Sequence, residues 1–278
     1  AGAKVAVITA KDKLRKLLGN GLDFSTKRAI CFSSEKADEA TQASNGINNV
    51  LELVKKPIPA VYSSDLSEFI FAAGVALMKQ FRPDIMYLST TDYIQHKYAP
   101  GSDGANNFYA MMDRYWSKLS DYGALLAITA DHGMNAKHDK HGQPIVIYLQ
   151  EILDEWLGHN NSRVILPITD PYVIHHGALG GYATVYVDDK VLTRDLCHRL
   201  EQLDGIELCL EKHEACERFD LPSDKVGNLV IIAQKDTVLG TSPSRHDLSG
   251  LNEPLRSHGG LSEQRVPILI NRQNISGR

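Results

Sequence analysis

Seven short apolar segments alternate along the chain with stretches of helical periodicity, and this alternation limits the fold more than any other feature. The apolar segments are KVAVIT (4–9), DIMYLST (84–90), ALLAITAD (124–131), PIVIYL (144–149), YATVYVD (182–188), NLVIIAQ (228–234) and VPILIN (266–271). Between them, SEFIFAAGVALMKQF and GANNFYAMMDRYWSKLSDYG place apolar residues at the spacing of amphipathic helices. Apolar strands that alternate with helices predict an α/β fold, in which helices cover both faces of a mainly parallel sheet.

The segment 140–225 differs from the rest of the chain. Its YATVYVDD and IELCL segments flank a helical stretch, VLTRDLCHRLEQL, so that strand, helix and strand follow in close succession. We therefore predict a small inserted α+β cap at 140–225, on a core formed by residues 1–139 and 226–278. The chain opens without Met and almost at once with the apolar VAVI run, which predicts that an N-terminal part of the natural protein is missing.

Charge and hydropathy argue against several classes of partner. The net charge is −4, from 30 basic and 34 acidic residues spread along the chain, which argues against nucleic acid as the main partner. No apolar run approaches the ~18 residues that a membrane span needs, and no signal peptide opens the sequence.

The four cysteines form no CxxC motif and are predicted to be reduced thiols of a cytoplasmic protein: Cys31, Cys197, Cys209 and Cys216.

Five side chains of the kinds that bind metal ions lie where predicted strands end. Asp92 and His96, in STTDYIQHKY, are four residues apart, which on a helix places both side chains on one face. Asp131 and His132 follow the apolar run in AITADHG, and His258 precedes two glycines in LRSHGG. Taken singly, each has an ordinary alternative, since an Asp often caps a helix and a His often lies in a surface loop.

Together the five residues predict a metal centre at the carboxyl-terminal edge of the predicted sheet, where ligands of such sheets bind. Carboxylate and imidazole ligands suit zinc, with manganese or iron as poorer candidates. Five ligands exceed what one four-coordinate ion needs if it keeps a position open for substrate. They instead predict two Zn²⁺ ions on the order of 4 Å apart, an arrangement that can bind both oxygens of a phosphoryl displacement.

Two lysines and two histidines are candidates for binding an anionic substrate. Lys11 and Lys13, in TAKDKLRK, follow the first strand, and in an extended segment their side chains would point the same way. His175 and His176 lie in the glycine-rich DPYVIHHGALGG segment of the predicted cap. A solvated basic stretch and a surface loop are the alternatives for these two pairs.

Three motifs, DxxxH, TADHGM and SHGG before a closing strand, resemble those of the alkaline phosphatase superfamily, on the branch of the nucleotide pyrophosphatases/phosphodiesterases and phosphonoacetate hydrolases. The segments VITAKDKLR, STTDYIQHKYAPG, TADHGMNAKHD, DPYVIHHGALGG and LRSHGGLSEQRVP are similar to the phosphonoacetate hydrolases in particular. The resemblance covers nearly the whole chain and implies an alkaline-phosphatase-like fold. It implies that Asp92, His96 and His258 hold one zinc ion. Asp131 and His132 would help to hold the other.

The chain departs from the family pattern at one point. In the family, a further Asp and a Thr that acts as the nucleophile lie upstream of these motifs. Thr9 and Thr90 end predicted strands, but neither lies in the family's nucleophile context. We therefore expect the nucleophile and the remaining metal ligand in an upstream segment that this sequence lacks.

The resemblance implies a zinc-dependent hydrolase that cleaves the carbon–phosphorus bond of phosphonoacetate to give acetate and phosphate. The substrate would place its phosphonate on the metal ions and its carboxylate near Lys11, Lys13 and a histidine of the cap. Positive charge there would stabilise the carbanion that leaves phosphorus. The predicted partner is thus a small anionic phosphonate. The oligomeric state stays open, with a homodimer as one arrangement.

Two alternatives stay open. A phosphodiesterase or nucleotide pyrophosphatase of the same superfamily would need an aromatic surface on which a base can stack. The aromatic content of 7% and the lysine pair argue against it. A noncatalytic zinc-binding paralogue would fit the absent nucleophile if no upstream segment supplies one.

Overall fold

A computed structural model of the chain describes residues 2–167 and 178–272. The chain divides into two compact units, one formed by residues 1–128 with 268–278 and the other by residues 129–267. The predicted cap, 140–225, lies inside the second unit, which begins earlier and ends later, and the cap boundaries stay a prediction. Within the described ranges, every helix is too short or too polar to span a bilayer.

In chain order, the strands are β1 (Val5–Thr9), β2 (Ala29–Ser33), β3 (Ile85–Ser89), β4 (Ala127–Ile128), β5 (Asn135–Ala136), β6 (Val146–Tyr148), β7 (Ser162–Ile165), β8 (Tyr182–Val187), β9 (Ile206–Glu211), β10 (Leu229–Ala233), β11 (Val238–Gly240), β12 (Arg256–Ser257) and β13 (Leu269–Ile270). The α-helices are α1 (Asp12–Leu18), α2 (Gln42–Asn45), α3 (Val50–Val54), α4 (Ser64–Gln80), α5 (Tyr93–Lys97), α6 (Asp103–Asp121), α7 (Leu149–Leu157), α8 (Thr193–Leu200) and α9 (Lys212–Phe219). Helices and strands mix along the whole chain, and parallel strand pairs occur among them, which confirms the predicted α/β class.

Three parallel strands form the main sheet of the first unit, in the order β2-β1-β3. Val5 of β1 pairs with Ala29 of β2 and with Ile85 of β3. All five residues of β2 are buried. The AICFS run carries no clear strand signal, because five residues are too short a window to distinguish a strand from a helix.

Helix α4 belongs to the core of the first unit because its apolar residues recur at helical spacing. Leu66, Phe69, Ile70 and Leu77 are at most 1% exposed, and they join one core cluster with Phe32 of β2. Full burial of each such side chain contributes roughly 1.5–3 kcal/mol. The helix ends just before the sequence Phe-Arg-Pro, since proline cannot continue a helix.

Helix α5 has only five residues, so tertiary contacts must hold it. Ile94 of α5 is buried in a cluster with Phe71 of α4 and with Phe108 and Met111 of α6. This contact fixes the turn that follows β3, where two of the candidate ligands lie.

An antiparallel sheet of four strands, in the order β7-β8-β10-β9, forms the centre of the second unit. Strand β10 pairs with β8 and with β9. The NLVIIAQ segment therefore belongs to this sheet, and the sequence-based placement of residues 228–234 in a mainly parallel sheet is wrong. All five residues of β10 are buried, and a wholly apolar strand carries no alternation that would reveal its partners.

Two predicted strands are much shorter than their apolar segments. Strands β4 and β13 have two residues each, and they pair antiparallel, with Ile128 opposite Leu269. In the second unit, β6 pairs with β11 in parallel and β5 pairs with β12 in antiparallel orientation. The parallel sheet therefore contains fewer strands than the number of apolar segments predicts.

Two of the four cysteines are paired, which contradicts the prediction of reduced thiols. Cys197 of α8 and Cys209 of β9 form a disulfide with their Cα atoms 5.4 Å apart. The packing of α8 on β9 brings the two residues together, and no sequence motif announces this contact. Cys31 and Cys216 are thiols, as predicted.

Candidate metal centre

Asp92 ends the loop that follows β3, and His96 lies on the next helix, α5, both in the first unit. The His96 Nε2 lies 3.0 Å from the Asp92 Oδ2, so the four-residue spacing does place both side chains on one face. The His96 side chain is 2% exposed and the Asp92 side chain 40% exposed. The carboxylate therefore reaches solvent while the imidazole behind it is buried.

Lys11 precedes α1 at the end of β1, in the extended conformation that was predicted for it. Its Nζ lies 5.5 Å from the centroid of the Tyr62 ring, which in turn lies 5.9 Å from the ring of Tyr93. Lys13 lies in the first turn of α1 and is exposed. The expectation that the side chains of Lys11 and Lys13 point the same way is therefore wrong in its premise, since the segment is not extended at Lys13.

Asp131 and His132 lie in the loop that opens the second unit. The Asp131 side chain is 90% exposed, and its Oδ1 accepts a hydrogen bond from His132 N at 3.2 Å. The His132 Nδ1 lies 2.9 Å from the Gly133 carbonyl oxygen, to which it can donate a hydrogen bond. Such a bond leaves the lone pair on Nε2, the arrangement by which a protein orients an imidazole for a metal ion.

His258 follows β12 and meets His132 in the second unit. The pairing of β12 with β5, in which Ser257 lies opposite Asn135, brings the two loops together. The two imidazole rings stack with their centroids 3.7 Å apart and their planes 11° from parallel. Two of the five predicted ligands are thus neighbours in space although they are far apart in sequence.

Glycines allow the His258 loop to approach its neighbours closely. Gly259 has a φ of +106°, a conformation that other residues rarely adopt. The His258 carbonyl oxygen accepts a hydrogen bond from Gly181 N at 2.8 Å, and a Cβ at Gly181 would lie 2.8 Å from Gly260 N. The backbones are therefore in direct contact, and a side chain at Gly181 would displace the loop.

A buried carboxylate that the sequence analysis did not single out lies beside this loop. The Glu263 side chain is 1% exposed and accepts hydrogen bonds from Asn135 and Lys137. Burial alone would raise the pKa of the Glu263 carboxyl, but the Asn135 hydrogen bond and the Lys137 charge lower it overall. Burial lowers the pKa of the Lys137 amine, and the Glu263 charge acts in the opposite direction. No sequence signal identifies the pair, because their contact joins residues 126 positions apart.

The donor chemistry of both units fits a divalent metal ion. The first unit supplies one carboxylate and one imidazole, and the second supplies one carboxylate and two imidazoles. Zinc in hydrolases is held by this combination of oxygen and nitrogen ligands. His175 and His176, the predicted cap residues, lie outside the described residues.

A family model described as type I phosphodiesterase / nucleotide pyrophosphatase matches residues 47–261. The chain is also similar to a curated phosphonoacetate hydrolase of Penicillium oxalicum, with 68% identity over 28 residues. That match covers 10% of this chain and 39% of the fungal sequence.

Crystal structures of phosphonoacetate hydrolase from Sinorhizobium meliloti 1021, in complex with phosphonoacetate and with phosphonoformate, share 57% identity with this chain. The TM-score is 0.95, and the match covers 100% of this chain and 67% of that chain. Murine ectonucleotide pyrophosphatase / phosphodiesterase 5 shares the fold, with a TM-score of 0.53 at 14% identity over 97% of this chain and 60% of its own. The chain therefore belongs to the type I phosphodiesterase / nucleotide pyrophosphatase family, and within that family to the phosphonoacetate hydrolases.

Proposed function

We propose that the protein hydrolyses the carbon–phosphorus bond of phosphonoacetate, giving acetate and phosphate, with two Zn²⁺ ions as cofactors. One observation carries the proposal: the 57% identity, over the whole of this chain, with a bacterial phosphonoacetate hydrolase that was solved with phosphonoacetate bound. The chain spans 67% of that relative, so the activity is proposed for the whole protein.

We propose that Asp92, His96 and His258 bind one ion. Asp131 and His132 bind the other, together with ligands from an upstream segment. The 3.0 Å contact of His96 with Asp92 and the hydrogen bond available to the His132 Nδ1 support this assignment. The ions, when bound, would neutralise the phosphonate and lower the pKa of the Thr hydroxyl that attacks phosphorus.

That Thr is expected in a segment upstream of Val5 and β1, and the edge of the parallel sheet offers a place for its strand. Among the described residues, β3 pairs with β1 on one side only. Ile85 and Tyr87 of β3 are 62% and 50% exposed, which is unusual for large apolar side chains in a parallel sheet. The two residues share one face of β3, so further chain packed against that face would cover them.

The substrate carboxylate is proposed to bind Lys11. When the carbon–phosphorus bond breaks, its electron pair stays on carbon and is delocalised into that carboxylate, and protonation by water completes acetate. The phosphoryl group is then bonded to the Thr oxygen, and hydrolysis by a second water molecule releases it as phosphate and restores the hydroxyl. A cation beside the carboxylate stabilises this charge. Lys11 is half-buried against Tyr62, whereas exposed Lys13 would contribute only at longer range. His175 and His176 stay candidates for the same carboxylate.

The second candidate function is a phosphodiesterase. The tilted pair of Tyr62 and Tyr93, with ring centroids 5.9 Å apart, is a surface on which a base could stack. A phosphodiesterase that uses this surface would lose activity on Tyr62→Ala, and it would hydrolyse a dinucleotide faster than phosphonoacetate.

The test is a metal-dependent assay with a substrate panel. The purified whole protein is treated with chelator, returned to Zn²⁺ or Mg²⁺, and assayed on phosphonoacetate, a phosphate monoester and a dinucleotide. The proposal expects acetate and phosphate in equal amounts, only with zinc. Activity that persists in excess chelator would exclude the metal centre, and inactivity on all substrates would favour the noncatalytic paralogue.

The cellular location and the oligomeric state are proposed together with this activity. We propose a cytoplasmic location, against which the Cys197–Cys209 disulfide counts, since cytoplasmic thiols are usually kept reduced. Cell fractionation combined with thiol labelling would decide this.

We propose a homodimer as the oligomeric state, which light scattering of the purified protein would test.

A further inference from the structure

Glu263 and Lys137 form an ion pair inside the second unit. The Lys137 Nζ lies 3.1 Å from the Glu263 Oε1, and the two side chains are 0% and 1% exposed. Replacement of a buried ion pair by apolar residues of similar volume is often neutral or even stabilising, although removal of one partner alone is costly. A role in stability alone is therefore a weak explanation for the pair.

The Glu263 carboxylate accepts hydrogen bonds from both loops that carry the proposed histidine ligands. Its Oε2 accepts from Gly260 N at 2.7 Å, and Gly260 lies two residues after His258. Its Oε1 accepts from Asn135 Nδ2 at 2.5 Å, and Asn135 lies three residues after His132. One side chain therefore connects the two loops.

The main chain of Glu263 makes the same connection. Its carbonyl oxygen accepts a hydrogen bond from Gly133 N at 2.6 Å, directly after His132. A Cβ at Gly133 would lie 3.3 Å from the Glu263 Cα, so the two backbones touch. The position of His132 therefore depends on the position of Glu263.

Lys137 holds the carboxylate from the other side. Its Nζ also donates to the Lys235 carbonyl oxygen at 2.7 Å, and its backbone N donates to the Leu255 carbonyl oxygen at 2.8 Å, next to β12. The ammonium group is thus fixed by the scaffold of the unit, and through it the carboxylate is fixed as well.

We propose that Glu263, held by Lys137, is a positioning residue that fixes the imidazoles of His132 and His258 for metal binding. The inference rests on the proposed metal centre and deepens it. It assigns part of the affinity for zinc to a carboxylate that is not itself a proposed ligand. Ligands that are already ordered lose less conformational entropy when the ion binds, and loss of outer-shell partners weakens metal binding about 10–100-fold in other proteins.

The test compares Glu263→Gln with a control that removes buried hydrogen bonds elsewhere in the same unit. The control is Thr184→Val, in β8, which loses the bond that the hydroxyl donates to the Leu229 carbonyl oxygen at 3.2 Å and the bond that it accepts from Gly227 N at 2.7 Å. Zinc affinity is measured by competition with a chromophoric chelator, and Tm is measured in excess chelator. Both variants should have a lower Tm, but only Glu263→Gln should bind zinc ~10-fold or more weakly.

An unchanged zinc affinity of Glu263→Gln, with a Tm as low as that of Thr184→Val, would make Glu263 merely structural and overturn the inference. If Glu263→Gln does not fold, Asn135→Ala replaces it, because this change leaves the Lys137–Glu263 pair intact, and an unchanged affinity would count equally against the inference. His258→Ala separates the two proposals. If His258→Ala still binds two zinc ions per chain as tightly as the wild type, the proposed metal centre itself is wrong.

Discussion

The imidazole rings of His132 and His258 lie face to face in the second unit, 3.7 Å between centroids. Two protonated rings would repel each other at this distance, whereas neutral rings tolerate it. Metal ions bind neutral imidazole, so the contact is compatible with ligation. It also raises the question of whether the two rings serve one ion or two.

Zinc stoichiometry answers that question. If His258 serves one ion and His132 the other, each single Ala variant should bind one zinc per chain, and the double variant should bind none tightly. Metal analysis after gel filtration, on the whole protein, measures this directly. The control is His198→Ala, an exposed histidine of α8, which should keep both ions. A double variant that still binds one zinc would show that the two rings share an ion.

Substitution of Lys11 by Ala should raise KM for phosphonoacetate by about 10–100-fold, because a hydrogen bond to a charged group contributes about 1.5–3 kcal/mol. KM for a phosphate monoester without a carboxylate should change far less. Lys13→Ala should have the smaller effect of the two, since Lys13 is exposed on α1. Steady-state kinetics on both substrates supply the measurement.

A lysine at the opposite edge of the parallel sheet serves as the control for that experiment. Lys79 is exposed in the last turn of α4, which leads into the amino-terminal end of β3, and Lys79→Ala should leave both KM values unchanged. Equal effects of Lys11→Ala on the two substrates would mean that Lys11 does not bind the carboxylate.

The parts of the fold that the sequence predicts are those with local signals. Strands β1, β3 and β8 fall within their apolar segments, and the four-residue spacing of Asp92 and His96 correctly places both side chains on one helix face. Partners of strands carry no such signal: β10 is apolar throughout, and only the folded chain shows that it pairs with β8 and β9.

The parts of the candidate site that the sequence does not predict depend on long-range contacts. Glu263 and Lys137 read as ordinary surface charges, and burial of both becomes evident only when their contact is known. The Cys197–Cys209 pair is hidden for the same reason, since it follows from the packing of α8 on β9. The candidate ligands are found in the sequence because they form motifs, whereas the residues that hold them in place do not.

The Cys197–Cys209 disulfide should stabilise the second unit. It closes a loop with a sequence separation of 12, and disulfides of this size contribute about 2–4 kcal/mol. The double variant Cys197→Ala with Cys209→Ala should therefore lower the free energy of unfolding by a few kcal/mol, whereas Cys216→Ala should not. Denaturant titration measures both. If labelling of the unfolded wild type without reductant modifies all four cysteines, the bond is absent in the isolated protein.

The buried thiol of Cys31, in β2, should make the stability of the protein depend on pH in the alkaline range. Burial raises the pKa of its thiol to about 11 from an ordinary value of 9.0, so the folded state favours the protonated thiol. A group whose pKa is raised by folding stabilises fully below its unfolded pKa, and the contribution is lost as pH rises towards the folded pKa. The free energy of unfolding should therefore fall between pH 9 and about 11, and it should fall less in Cys31→Ala. Cys216→Ala, which keeps the buried thiol, should follow the wild-type profile. Identical profiles for the wild type and Cys31→Ala would show that ionisation of this thiol has no part in alkaline unfolding.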